Sequence, residues 1–184
     1  MHRVLAEKGG LTSSRAPAAQ PPGFDGEARG EPGIHGVPRA RRFDVVTTAQ
    51  VEGGPDEPVR FVALTNGSVV PEEPTGASAD ALASFAAAVD SSLERPYRAE
   101  AVPRGRGLWA VAARRIVVLD APGLQGREAE LVSTRQGRSL HVDHQPRFGS
   151  VPSFERQGLE HGEEYVVRAF HLVDDLWEVE ASAL

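Results

Sequence analysis

The chain has 184 residues, 40% of them hydrophobic and 25% charged, which is the composition of one globular domain or two very small ones. Because it has no cysteine, disulfides, Cys-based metal centres and thiol nucleophiles are excluded, and the most apolar run, residues 81–89, is too short to span a bilayer. The formal net charge of −6 disfavours a polyanionic partner such as nucleic acid.

Residues 1–40 differ in composition from the rest of the chain. They contain seven glycines and five prolines but only six Leu, Ile, Val or Phe residues, too few to bury a core. The sequence therefore predicts a disordered Gly/Pro/Ala-rich tail; alternatively, translation starts downstream of Met1. Because this segment lacks the continuous apolar stretch of a signal peptide, we expect a cytoplasmic protein. Nineteen of the 20 basic residues are arginine, a bias typical of a high-GC bacterial genome.

The hydrophobic pattern of residues 41–113 predicts five strands and one helix. Two β-rich runs flank a Gly/Pro turn and suggest a hairpin, and Asn66-Gly67 suits a type I′ turn into a third strand. Ser78 is a candidate cap for a helix with apolar residues at helical spacing, which must end before Pro96. The expected strands are residues 42–51, 59–65, 68–70, 97–102 and one from Leu108 onward.

Residues 114–184 show the same order of elements. The helix is shorter and weaker in this half, because Gly158 lies inside it and Gly162 ends it. No turn residue separates the last strand of the first half from the first strand of the second, so the chain is expected to run straight between them. The expected elements are strands 116–119, 130–134, 138–142, 165–172 and 176–181, and a helix over 151–161.

The aromatic residues indicate an internal duplication. The chain has only two tyrosines and two tryptophans, and Tyr97 precedes Trp109 by the same 12 residues that separate Tyr165 from Trp177. Repeats of this kind are a signature of duplicated structural units.

A single fold follows from the duplication. We predict an α+β protein of two βββαββ units, repeats 41–113 and 114–184, with mostly antiparallel sheet and one helix per repeat. Since a unit of about 70 residues buries too little surface to be robust, both repeats should pack as one domain, 41–184, about a pseudo-two-fold axis. The same alignment places Arg41-Arg42 on Arg114-Arg115.

The strand after Leu108 has two apolar faces. Trp109, Val111 and Ala113 alternate with Ala110 and Ala112, whereas the matching strand of the second repeat carries Glu178 and Glu180 at those alternate positions. We therefore expect the Ala110/Ala112 face to be covered by another layer or by a partner subunit.

One cluster of side chains could bind a metal ion. On a strand His141 and Asp143 share a face, and a third ligand such as His171 or His161 could complete a divalent site. His144 would point to the other face or lie in a loop. The alternative is that these are solvated residues at the end of a strand, because such short patterns often occur without a metal.

Other polar and aromatic groups carry weaker hypotheses. The arginine pairs could hold anions, although one arginine of each pair could equally pair with a nearby acid. The repeated tyrosines and tryptophans could line a ligand groove, but packing in a core is the commoner use of such residues. Acid pairs in predicted turns are assigned no catalytic role, since turn carboxylates are normally solvated; they are Glu72-Glu73, Glu163-Glu164 and Asp174-Asp175.

The sequence contains no phosphate loop, dinucleotide fingerprint, serine elbow or zinc-protease motif. We therefore predict a cytoplasmic, non-enzymatic binding or protein-interaction module that engages a protein partner or a second copy, with no catalytic residue and no cofactor assigned. One alternative is a small metal-dependent enzyme that uses His141 and Asp143 of the second repeat. Another is a sensor that binds an anionic small molecule at the arginine pairs.

Overall fold

The computed structural model describes residues 43–184; the predicted tail and Arg41-Arg42 lie outside the described residues. The first half contains β1 (Val45–Gln50), β2 (Val59–Ala63), β3 (Val69–Pro71), α1 (Ala79–Asp90), β4 (Tyr97–Gly105) and β5 (Leu108–Arg115). The second half contains β6 (Val117–Asp120), β7 (Glu128–Thr134), β8 (Gly137–Val142), β9 (Gln145–Arg147), α2 (Pro152–Leu159), β10 (Tyr165–Val173) and β11 (Leu176–Ala183).

These strands form two sheets in which every pairing is antiparallel. The first sheet has the order β1-β5-β4-β2-β3, and the second has the order β6-β11-β10-β7-β8-β9. The α+β class predicted from the sequence is therefore confirmed. A single residue, Ile116, separates β5 from β6, so the chain passes directly from one sheet to the other, as expected.

The predicted hairpin between the first two strands is wrong. β1 pairs with β5, where Ala49 lies opposite Trp109, and both β5 and β4 lie between β1 and β2. The segment after β1 passes close to the Trp109 ring, because a Cβ on Gly54 would lie 2.6 Å from that ring. The Gly/Pro composition marks a change of chain direction, but the strand that becomes the neighbour is decided by packing between distant residues.

The predicted type I′ turn at Asn66-Gly67 is also wrong. Of these two residues only Gly67 has a positive φ, of 93°, and the backbone N–H of Leu64 donates to the carbonyl of Ser68 across a three-residue loop. A two-residue turn with both φ values positive occurs instead at Asp143 and His144, with φ of 48° and 64°. This turn has the signature of type I′ and joins β8 to β9, a strand that the sequence pattern did not predict.

The ends of the helices follow from local chemistry. The Ser78 hydroxyl accepts a hydrogen bond from the backbone N–H of Ala81 at 3.1 Å, so the predicted cap of α1 is confirmed. α2 is shorter than the expected 151–161, and it keeps Gly158 because a Cβ there would lie 2.2 Å from the Tyr165 ring. The helix approaches its sheet too closely for any larger residue at that position.

Each helix packs on its own sheet. Tyr97 and Trp109 lie in the core beneath α1, whereas Tyr165 and Trp177 lie in the core beneath α2, and all four are between 0% and 3% exposed. A third apolar cluster joins the two sheets through Val62 and Leu64 on one side and residues of the β10–β11 hairpin on the other; its other members are Val70, Ile116, Val118, Leu172, Val173 and Leu176. Neither helix in residues 43–184 has the length and hydrophobicity needed to cross a membrane.

Candidate functional site

The β8–β9 hairpin projects from one edge of the second sheet and is fastened at its turn. The Asp143 carboxylate accepts hydrogen bonds from the backbone N–H groups of Arg127 at 2.8 Å and Glu128 at 3.0 Å. These two bonds lower the pKa of Asp143, because they stabilise the ionised carboxylate. The neighbouring Gly126 must be glycine, since a Cβ there would lie 2.3 Å from the Val142 side chain. The turn of the hairpin is thereby hydrogen-bonded to the preceding loop.

The histidines of the predicted metal cluster have separate surroundings. His141 is half-buried in β8, between Glu130 of β7 and Pro146 of β9, and His144 is exposed in the turn. The ring of His171 packs edge-on against Trp177, and its Nε2 lies 2.8 Å from the carbonyl oxygen of Asp174. Within the part of the chain that the structure describes, no three His, Asp or Glu residues are grouped as metal ligands.

The hydrogen bonds of Asp143 predict a particular dependence on pH. Its pKa is lowered in the folded chain, so the stability that it supplies is present above about pH 4, the usual pKa of an aspartate, and is lost as the pH falls through the folded value. Asp143→Asn keeps an oxygen acceptor but cannot titrate. We expect its urea-unfolding midpoint to fall less between pH 6 and pH 3 than that of the wild type. Asp56→Asn, at an exposed aspartate, serves as the control, and identical acid profiles for wild type and Asp143→Asn would contradict the assignment.

A groove runs beside this hairpin toward the start of α2. It has a volume of about 290 Å³, and buried Leu131 and Leu140 contribute apolar surface to its lining. Phe148, directly after β9, also lines the groove, and with a relative exposure of 103% its side chain is wholly in solvent. The groove therefore combines a mixed polar and apolar lining with an aromatic side chain that nothing in residues 43–184 covers.

The charges around this groove are partly neutralised. Arg138 donates to Glu155 of α2 at 2.8 Å, and both residues line the groove. Arg147 is exposed and has no ion pair with any residue between 43 and 184. We call the surface formed by β9, Phe148, Gly149 and the groove the β9 surface.

A second cluster of polar side chains lies between the two sheets. Glu178 of β11 is 1% exposed and forms ion pairs with Arg114 of β5 and, at 2.8 Å, with Arg98 of β4. Arg98 also forms an ion pair with Glu72, which follows β3. Three strands of the first sheet and one of the second thus place two arginines and two glutamates together.

This cluster changes the interpretation of several residues. Arg114, a candidate anion ligand, is paired internally with Glu178, and the backbone N–H of its neighbour Arg115 donates to the Asp44 carboxylate. Glu72 was expected to be solvated, yet its side chain is only 20% exposed, and burial raises its pKa despite the adjacent guanidinium. Neither Glu178 nor Arg98 was expected to form a buried ion pair; the one available signal was the Glu178/Ala110 difference between the halves.

The Ala110/Ala112 face of β5 is covered without any other chain. Ala110 is 6% exposed and Ala112 is fully buried. Both share a face with Arg114, which meets Glu178 of the second sheet. This face is therefore buried within the folded chain, and Glu178 of the second sheet reaches it at Arg114.

The strands that carry the tryptophans give a common reference position in the two sheets. Ala49 lies opposite Trp109 in the first sheet, and Leu119 lies opposite Trp177 in the second. This register sets Val45, and not Arg42, at the position of Arg115. Arg41 and Arg42 lie outside the described residues, so the correspondence between the arginine pairs stays a prediction that this register does not support.

Comparison with known proteins does not assign the chain to a family. No protein-family model matches the sequence, and neither a curated protein nor a solved structure gives a significant match.

Proposed function

We propose that this chain is a non-enzymatic protein-interaction module that engages a protein partner through its β9 surface. The observation that carries the proposal is Phe148, which is wholly exposed beside a groove with buried leucines in its lining. Aromatic residues and arginine are enriched at protein interfaces, and both occur here as Phe148 and Arg147. Burial of a solvated phenylalanine side chain by a partner contributes about 2 kcal/mol to the free energy of binding.

The contacts that hold the hairpin in place support the same proposal. Binding costs free energy for every side chain and loop that must be ordered. Asp143 fastens the turn to two backbone N–H groups, and the ion pair between Arg138 and Glu155 links β8 to α2. The surface is therefore organised before a partner arrives, so that more of the contact energy contributes to affinity.

We further propose that the two halves are repeats related by duplication, with boundaries at 41–113 and 114–184 in a single domain 41–184. The matching strand orders, β1-β5-β4-β2-β3 and β6-β11-β10-β7-β8, support this interpretation, as does one helix in each half. β9 is the strand of the second half that lacks a counterpart among the described strands of the first. An interaction surface on the added strand would be a specialisation of one repeat. A cytoplasmic location is part of the same proposal.

The two alternatives from the sequence receive less support from the side-chain contacts. A metal enzyme would use Asp143, whose Oδ1 already accepts two backbone hydrogen bonds. An anion sensor would use Arg114, whose guanidinium is paired with buried Glu178. Either function would require these residues to exchange their present partners for a ligand.

Photo-crosslinking in the source cells tests the interaction proposal. A photoreactive phenylalanine analogue at position 148 is expected to give a discrete covalent adduct with another protein, because this side chain would be buried by the partner. The same analogue at Leu159, which is 54% exposed on α2 and does not line the groove, is the matched control. With the captured protein purified, Phe148→Ala should weaken binding at least tenfold, as expected for a hot-spot residue. No adduct at position 148, or equal adducts at both positions, would contradict the proposal.

A further inference from the structure

The free edges of the two sheets are protected unequally. The residues that the structure describes contain four edge strands: β1 and β3 in the first sheet, β6 and β9 in the second. β3 and β9 have three residues each and contain Pro71 and Pro146, whereas β6 has four residues and ends in Asp120. Short length, proline and charge are the usual devices that prevent an edge strand from pairing with another chain.

β1 has none of these protections. It is six residues long, Val-Val-Thr-Thr-Ala-Gln, and contains neither a proline nor a charged residue. At the start of β1 the backbone N–H of Asp44 donates to the carbonyl of Ala113 in β5, which interrupts the regular alternation there. The N–H of Val51 donates to the carbonyl of Gly107, which lies opposite it in the β1–β5 register, so by the alternation of an antiparallel ladder the backbone groups of Thr47 and Ala49 face β5. Those of Val46, Thr48 and Gln50 face away from it. Among residues 43–184 no strand pairs with the outer edge of β1, which leaves a row of backbone donors and acceptors there.

We propose that β1 pairs antiparallel with β1 of a second copy, so that the two five-stranded sheets become one continuous sheet. β1 carries no charged side chain. When two copies of the strand pair about a two-fold axis, no like charges within it are therefore placed opposite each other. The interaction is separate from the β9 surface, which belongs to the other sheet.

The faces of the strand restrict the register. Val45 and Ala49 pack toward the core beneath α1, so a continuous sheet must place helix-facing residues of one copy opposite helix-facing residues of the other. Axes through Thr47 or through Thr48 satisfy this condition. The Thr48 axis sets Asp44 opposite Glu52, which is a like-charge pair, whereas the Thr47 axis sets Asp44 opposite Gln50. The dimer therefore has its axis at Thr47.

Single cysteines test this register directly, because the chain has no cysteine of its own. With the axis at Thr47, the two copies of this residue form a non-hydrogen-bonded pair with Cα atoms about 4.5 Å apart. This separation lies within the range of about 4.4–6.8 Å that a disulfide requires. The two copies of Thr48 are diagonal neighbours about 7–8 Å apart. Under mild oxidation the full-length Thr47→Cys chain should form a disulfide-linked dimer, and Thr48→Cys should remain largely unlinked.

Sedimentation of the full-length protein provides the second measurement. We expect a concentration-dependent dimer, and we expect Val46→Lys to raise its dissociation constant at least tenfold, because charge on an edge strand opposes pairing. Val117→Lys is the matched control: Val117 lies on edge strand β6 and is 43% exposed, compared with 44% for Val46, and its substitution should leave the dimer unchanged.

Three results would overturn the proposal. The first is a wild-type protein that stays monomeric at 100 µM. The edge of β1 would then be expected to pair with an extended segment of another protein or of this chain. The second is a dimer that Val46→Lys and Val117→Lys weaken equally. The third is preferential crosslinking through Thr48→Cys, which would contradict the axis at Thr47.

Discussion

Replacing Glu178 with alanine is expected to lower the free energy of unfolding by about 3 kcal/mol, the lower end of the range for breaking a buried ion pair. Glu178 is 1% exposed and neutralises Arg114 and Arg98, whose side chains are 13% and 18% exposed. Without its carboxylate, Arg114 has no acid to pair with in the described part of the chain, and both guanidiniums remain largely out of water. Equilibrium urea unfolding measures the loss.

Glu180→Ala is the matched control for this substitution. Glu180 lies two residues along the same strand and on the same face, but it is exposed, so its loss should change the free energy of unfolding by less than about 0.5 kcal/mol. A double-mutant cycle with Arg114→Ala should show that the two losses are not additive, because the second substitution removes the charge that the first left unpaired. If Glu178→Ala and Glu180→Ala behave alike, the cluster does not hold the sheets together.

Tyr97→Phe is expected to lower the free energy of unfolding by about 1–2 kcal/mol, the range for losing a buried hydrogen bond to a charged acceptor that is itself partly solvated. The Tyr97 hydroxyl lies 3.0 Å from the carbonyl oxygen of Ala86 and 2.9 Å from the Asp90 carboxylate, and it thereby ties β4 to the end of α1. Arg95 binds the same carboxylate through two nitrogens and holds the pKa of Asp90 below its usual value. Thermal and urea unfolding measure the effect.

The tyrosine at the start of β10 is the control for this prediction. Tyr165 is fully buried, but its hydroxyl has no hydrogen-bond partner among residues 43–184. Tyr165→Phe therefore removes an unsatisfied polar group and should leave stability unchanged or increase it by about 1 kcal/mol. A loss of stability in Tyr165→Phe as large as that in Tyr97→Phe would contradict this contrast between the halves.

The candidate site could be predicted only in part. The sequence drew attention to His141, Asp143 and His144 as a chemical cluster, and this segment does shape the β9 surface. The role of Asp143 as an acceptor for the backbone at residues 127 and 128 depends on how the loop before β7 folds back, which no local pattern encodes. The exposure of Phe148 likewise could not be predicted from the residues adjacent to it in sequence. Whether a side chain is exposed depends on which distant parts of the chain pack against it.

The sequence by itself determined those features that depend on residues a few positions apart. Ser78 caps α1 because its hydroxyl reaches a backbone N–H three residues ahead, and the α+β class follows from hydrophobic periodicity and turn residues. Tyr97, Trp109, Tyr165 and Trp177 pack in the cores, as the common use of large aromatic residues predicts.

Only the tertiary structure decided which distant residues meet. β1 lies beside β5, more than 50 residues along the chain, and Glu178 meets Arg114 across 64 residues of sequence. Pairing of this kind depends on the total surface that each alternative arrangement would bury, and many alternatives are compatible with the same local pattern. For that reason the partner of β1, the ion pairs between the sheets and the solvent-exposed Phe148 emerge from the folded chain.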